Sequence, residues 1–260
     1  MDKVLENIRV LVTRPKQQAD NLCELIENLG GMAIRFPVIE INKSENQQAA
    51  KKILDDIEQY DIGIFISRNA VEWTLKLLED KTSALESLSL ISIGPATTVA
   101  LKRAISGTVI TNSGTNSESL LENEALSADA VSGKKIIIFR GQGGREHLAT
   151  TLRQRGAKVD FAEVYRRDCP QYDSDYINKI WTLNFPDVVV VTSNNGLENL
   201  FSLVNNEQRN LLLSKQLVVM GRRMLDFSVG FGFAKTPIFT EENDDEGILD
   251  LIVKWAGTLT

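Results

Sequence analysis

Six short segments hold the residues whose chemistry is anion binding: Thr13-Arg14-Pro15, Ser67-Arg68-Asn69, Gly94-Pro95-Ala96-Thr97, Arg140-Gly141-Gln142-Gly143-Gly144-Arg145, Thr192-Ser193-Asn194-Asn195 and Gly221-Arg222-Arg223. Hydroxyls, amides, guanidinium groups and the backbone N–H groups that glycine leaves open are all hydrogen-bond donors, suited to carboxylates or phosphates. Nucleophilic chemistry fits them less well. Ser67 and Ser193 lack a G-x-S-x-G elbow, and the one histidine, His147, sits at a polar position on the glycine-loop helix; both serines read as helix N-caps. The glycine segment resembles a dinucleotide loop, but Glu146 stands where the third glycine belongs, and no lysine followed by a Ser or Thr closes the segment as in a P-loop. A tight turn that frees N–H groups for some anion fits it better. The acidic run 241–246 reads as a solvated helix start rather than a metal site. Tyr165, followed by Arg166-Arg167, has two readings. It is a phenol facing an open hollow, protonated at neutral pH and able to donate, or it packs at a domain junction.

These segments share one placement: each follows a run that reads as a β-strand and opens a helix. Residues 9–13 lead into a stretch with Leu22, Leu25, Ile26 and Leu29 at helical spacing, then Gly30-Gly31 and a second strand at 32–36. Residues 135–139 lead into a helix with Leu148 and Leu152, then Gly156 and a strand at 157–161. The second stretch is a copy of the first. Arg14 falls on Arg140, Leu22 on Leu148, Gly30 on Gly156, Val38 on Val164, Ser67 on Ser193 and Asn69 on Asn195, all at a shift of 126 positions. With one inserted residue, Gly94 falls on Gly221. A constant shift over about 80 residues that carries polar loop residues along with apolar ones indicates duplication, hence two similar domains. The strands are continuous apolar runs, as in parallel sheets covered on both faces. The expected class is therefore α/β, with two domains that are each a parallel sheet flanked by helices. Segments 37–41 and 163–167 match across the copies as β-prone connectors. In such sheets ligands bind beyond the carboxyl ends of the strands, so two donor-rich edges are expected to make a cleft for an anion.

Composition narrows the function. The 260 residues are 43% hydrophobic and 25% charged, with a net charge of -6, which is globular and argues against nucleic acid as a partner. No apolar run reaches about 18 residues, so no membrane span is expected. Residues 1–6 show no signal-peptide core, which favours the cytoplasm. Cys23 and Cys169 with a lone histidine make neither a disulfide framework nor a metal centre. The rivals still open on these grounds are a non-enzymatic two-domain protein that closes on a small anion and a nucleotide-using α/β enzyme, the latter weakened by Glu146.

The ordered set Val12-Thr13-Arg14-Pro15, Phe36-Pro37-Val38-Ile39, Ser67-Arg68-Asn69-Ala70-Val71, Ile93-Gly94-Pro95-Ala96-Thr97-Thr98, Arg140-Gly141-Gln142-Gly143-Gly144-Arg145-Glu146 and Val164-Tyr165-Arg166-Arg167 resembles the uroporphyrinogen-III synthase family over essentially the whole chain. No single motif is specific; their order is. The resemblance implies two α/β domains joined by a two-stranded β connector that the chain crosses twice. Residues 1–37 with 169–260 would form one domain, 42–163 the other, and 37–41 and 163–168 the connectors. It implies that hydroxymethylbilane, a linear polyacidic tetrapyrrole, is closed to uroporphyrinogen III with loss of water and inversion of ring D. No cofactor or metal takes part. The substrate can also close unaided to the uninverted isomer, so the enzyme's task is mainly positioning. Tyr165 matches the family tyrosine nearest the leaving hydroxyl, as general acid. The expected substrate-binding residues are Thr13, Arg14, Ser67, Arg68, Asn69, Gly94, Thr97, Arg140, Gly141, Gly143, Arg145, Ser193, Asn194, Asn195, Gly221, Arg222 and Arg223. Some family members carry a threonine where this chain has Met224, which shifts the expected carboxylate contact to Arg222 or Arg223. The family default is a monomer, with at most a transient contact to the preceding pathway enzyme.

Overall fold

The computed structural model of the chain describes residues 3–111, 114, 116–242 and 244–259; Met1, Asp2 and Asn243, which entered the sequence reading, lie outside them. The strands are β1 (Arg9–Val12), β2 (Met32–Arg35), β3 (Glu40–Lys43), β4 (Ile62–Phe65), β5 (Ser89–Ser92), β6 (Val109–Thr111), β7 (Lys135–Gly141), β8 (Lys158–Asp168), β9 (Val188–Val191), β10 (Gln216–Met220) and β11 (Ile238–Thr240). The chain divides into two compact units, residues 1–40 with 168–260 and residues 41–167. Each contains a parallel sheet flanked by helices, as the α/β expectation requires.

In the first unit the strands run parallel in the order β11-β10-β9-β1-β2, so the first two strands of the chain stand beside the last three. Val10, Leu11, Val12 and all of Val188–Val191 are fully buried. Val10, Val12, Val188 and Val190 pack on one face with Leu22, Cys23 and Ile26 of the helix Lys16–Asn28 and with Ile248 and Ile252 of the helix Asp245–Ala256. Alternation along the strands sends Leu11, Val189 and Val191 to the other face.

The second unit holds a sheet in the order β3-β8-β7-β4-β5-β6, with β4 to β8 parallel. Ile62, Ile64, Ile136 and Ile138 belong to one core, and Phe65, Ile137 and Phe139 to the opposite one. The Phe65 and Phe139 rings stack at 4.1 Å, nearly parallel.

Two segments differ from the sequence reading. Residues 37–39 are not strand; β3 begins only at Glu40. Pro37 has no N–H to give a ladder, and the segment's polar groups are taken up elsewhere. The Val38 N–H donates to the Thr13 carbonyl at 3.0 Å, the Asn199 amide donates to the Val38 carbonyl at 2.8 Å, and the Tyr172 hydroxyl donates to the Pro37 carbonyl at 2.8 Å. Burial pushes that Tyr172 phenol up to about 12. Secondly, the expected strand 157–161, from Lys158 on, and the connector 163–167 are not two elements but parts of the one long strand β8. Its pairing with β7 slips: Arg140 pairs with Glu163, but Gly141 pairs with Tyr165. Val164 is thus the extra residue of a bulge. In a regular strand Val164 and Tyr165 would face opposite sides; here both join the same core.

The bulge lays the Tyr165 ring directly over Gly141. A β-carbon on Gly141 would stand 2.6 Å from Tyr165 Cζ and 3.0 Å from its hydroxyl. Gly141→Ala should therefore cost about 1–3 kcal/mol by overpacking. Urea unfolding reads this directly, and an unchanged midpoint with an unchanged slope would refute the packing.

Candidate functional site

In open parallel sheets the ligand crevice lies where neighbouring strands send their connections in opposite directions. In the second unit this is the junction of β7 and β4, because β7 leads away to β8 and β4 leads away to β5. The segments at the carboxyl ends of those strands are 140–146 and 67–69. Ser67 is the expected N-cap: its Oγ accepts the Ala70 N–H at 3.1 Å and so heads the helix Arg68–Leu78. The Tyr165 hydroxyl reaches across the end of β7 to the same Oγ, at 3.1 Å. Arg167 Nη2 donates to the Tyr165 hydroxyl from the other side at 3.2 Å. Tyr165 is 1% exposed, so the expectation of a phenol open to a hollow is corrected. The register slip turns it inward over Gly141, and Gly141 serves that ring rather than a ligand.

Arg140 is also corrected. It is 2% exposed, and its guanidinium turns back onto its own loop. Nε donates to the Gly141 carbonyl and Nη1 to the Arg145 carbonyl, each at 3.3 Å, and Nη2 donates to the Gly144 carbonyl. Glu163 stands 3.8 Å away and the Phe161 ring 4.3 Å beneath. A buried cation must satisfy its donors locally, and this one holds the glycine loop. At Gly143, φ +73°, a β-carbon would meet nothing within 4 Å, and its N–H donates to Glu163 Oε1 at 3.3 Å. Arg145 is exposed and lies 3.5 Å from Glu118.

Gly94 takes φ +79°, and a β-carbon there would meet nothing within 4 Å. It heads the helix Pro95–Ala104 without a side-chain cap; Pro95 has no N–H, so the first-turn donors left without a side-chain partner are those of Ala96 and Thr97. Thr97 and Asn69 are buried and offer no exposed side chain. Arg68 pairs with Glu72 at 2.7 Å. Together with Pro95, Ala96, Val99, Ala100 and Arg103 they line a hollow of about 480 Å³.

The first unit has its reversal between β1 and β9. Thr13 is buried there and its hydroxyl donates to the Val190 carbonyl at 2.7 Å. Arg14, expected among the substrate-binding residues, gives its guanidinium to Asp245, and Met220 Sδ lies at 3.3 Å. The acidic run does begin a helix, with Asp244 capping Gly247 at 2.9 Å, but Asp245 is turned in to Arg14 and Asn21 rather than solvated. Ser193 caps the helix Asn194–Leu203 through the Gly196 N–H at 3.1 Å. Asn194 is half-buried and Asn195 exposed, and neither side chain has a hydrogen-bond partner among the described residues. Gly221, at φ +75° with open space around it, heads the helix Arg222–Val229, also without a side-chain cap. Arg222 lies 3.7 Å from Asp226 and over the Phe239 ring, while Arg223 is exposed with no acidic partner among the described residues. Met224 is buried.

Sequence reasoning missed two residues. Arg167 was visible beside Tyr165, but nothing in the string signalled that it lies on the phenol. Asp245 lies 231 positions from Arg14, and no local pattern links them.

The family model described as uroporphyrinogen-III synthase HemD matches residues 20–247. Uroporphyrinogen-III synthase of Escherichia coli is 30% identical over 240 residues, covering 91% of this chain and 96% of that one. The enzyme of Proteus mirabilis is 32% identical over 176 residues, 66% of this chain and 86% of that one. The crystal structure of the Helicobacter pylori synthetase shares the fold with a TM-score of 0.66 at 13% identity, covering 95% of this chain and 99% of that one. A mutant enzyme of Thermus thermophilus gives 0.62 at 16% identity, covering 97% and 100%. The chain belongs to the uroporphyrinogen-III synthase family.

Proposed function

We propose that this chain cyclises hydroxymethylbilane to uroporphyrinogen III, with loss of water and inversion of ring D. The observation that carries this reading is the family match over residues 20–247. The donor set agrees with it. A flexible polyacid needs many outward donors and few charges, and both units carry glycine-headed helices whose first N–H groups have no cap. Backbone donors are fixed, so they select a substrate conformation at little entropic cost.

In this reading the leaving hydroxyl takes a proton and departs as water, which leaves an azafulvene cation. Ring D attacks that cation through its substituted α-carbon. The resulting spiro intermediate fragments and recloses with the ring inverted. Tyr165 supplies the hydrogen bond or proton to the departing hydroxyl. The N–H groups after Gly94 and Gly221, the Asn194 and Asn195 amides, the Gly143 turn, and Arg68, Arg145, Arg222 and Arg223 take substrate carboxylates. Ser67 holds Tyr165; Arg140, Gly141, Thr13, Arg14, Asn69, Thr97 and Ser193 hold the loops and helices that carry these donors. The chain works as a monomer in the cytoplasm and meets the enzyme that supplies its substrate only transiently.

Three measurements test this. Freshly generated hydroxymethylbilane should yield the type III isomer on isomer-resolving chromatography of the oxidised product; type I alone, at the buffer rate, refutes the activity. Tyr165→Phe should lower kcat about 10- to 100-fold without abolishing it, and a loss under about threefold removes the acid role. Arg222→Ala and Arg223→Ala should each raise KM about two- to fivefold. If both leave it unchanged, neither arginine meets a carboxylate.

A further inference from the structure

Tyr165 is assigned a proton to give, yet it is buried and its hydroxyl is covered. One exposed residue, Arg167, donates to that hydroxyl. Its Nη2 lies 3.2 Å from the hydroxyl, and its Cζ lies 5.7 Å from the centre of the same ring. Four arginines of this unit are paired: Arg140 with Glu163, Arg68 with Glu72, Arg145 with Glu118 and Arg166 with Glu45. Arg167 has no carboxylate partner among the described residues. Its one hydrogen bond goes to a neutral phenol, at the long end of the N–H···O range. A guanidinium meeting a carboxylate makes two shorter, charge-assisted bonds, each about twice as strong. The exchange therefore favours the carboxylate whenever one comes within reach. The phenol does not lose its place when Arg167 leaves, because Ser67 still holds it, and the Ala70 N–H fixes Ser67.

We propose that Arg167 is a carboxylate-operated cover. In the free protein it holds and shields the Tyr165 hydroxyl; on binding it swings to an acid side chain of the substrate and uncovers the proton donor. This couples proton donation to a correctly placed polyacid, because only a ligand that binds the open state better can shift the balance. The proposal deepens the reading of Tyr165 as general acid and rests on it. Arg167 acts through Tyr165, as a positioning residue, and also contacts the ligand.

The test compares the full chain as wild type, Arg167→Ala and Arg167→Lys. The first readout needs no activity: nitration of Tyr165 by tetranitromethane without substrate, followed by peptide mapping. Arg167→Ala should be nitrated at Tyr165 about tenfold faster than wild type, and Arg167→Lys should stay near wild type. The second readout is kinetic. Arg167→Ala should raise KM for hydroxymethylbilane about five- to tenfold, by more than it lowers kcat, with partial recovery in Arg167→Lys. Equal nitration of wild type and Arg167→Ala overturns the cover, and so does an unchanged KM. A merely structural arginine would shift the unfolding midpoint and leave the lysine variant as impaired as the alanine one. Should wild type itself form only the type I isomer, it is the activity that falls, and the nitration comparison still decides the cover.

Discussion

A parallel strand buried on both faces has no side chain left for solvent except at its ends. All four residues of β4 and of β9 are buried, so chemistry in either unit is confined to the turns that follow the strands. That constraint explains why the donors are mostly backbone N–H groups, hydroxyls and amides at helix starts. It also explains the bulge in β8. A regular strand would have turned Tyr165 to the opposite face; one extra residue brings its ring over the end of β7 and its hydroxyl to Ser67.

Burial likewise sorts the cations. Arg140 and Arg14 occupy equivalent positions in the two copies, at or just beyond the carboxyl end of a strand, and both are drawn inward. Arg140 is satisfied by three loop carbonyls and Arg14 by Asp245. Leaving such a guanidinium unpaired would cost far more than the loop order it secures. Among the candidate donors, the exposed Arg68, Arg222 and Arg223 stand in the first turns of helices, Arg145 in the glycine loop and Arg167 near the end of β8.

The two copies keep the same frame and differ in chemistry. Ser67 and Ser193 both cap helices, and Gly94 and Gly221 share a positive φ and an open flank. At the shift of 126 that aligns them, however, Tyr165 falls on Ile39, Gly141 on Pro15 and Arg167 on Ile41. The first copy has no phenol, no glycine to receive one and no arginine to cover it. At the corresponding junction the Thr13 hydroxyl bonds a strand carbonyl instead. The phenol laid over a glycine thus belongs to one copy only, while glycine-headed helices occur in both.

How much of this was legible varies with the range of the interaction involved. Local signals were enough for the strand and helix types, the serine caps, the glycine-headed helices and the repeat, because period, capping and turn preference act over a few residues. The resemblance to the synthase family rested on the order of six such segments. Pairing register was not legible: a one-residue slip between β7 and β8 leaves no trace in the string, yet it decides that Tyr165 is buried. Nor were Arg14 with Asp245 or Tyr165 with Ser67, whose partners lie 231 and 98 positions apart. By itself the sequence determined which residues can donate to an anion and on which elements they stand. Only the tertiary structure decided which of those donors are already satisfied from within the protein, because a hydrogen bond is consumed by whatever the fold brings into reach.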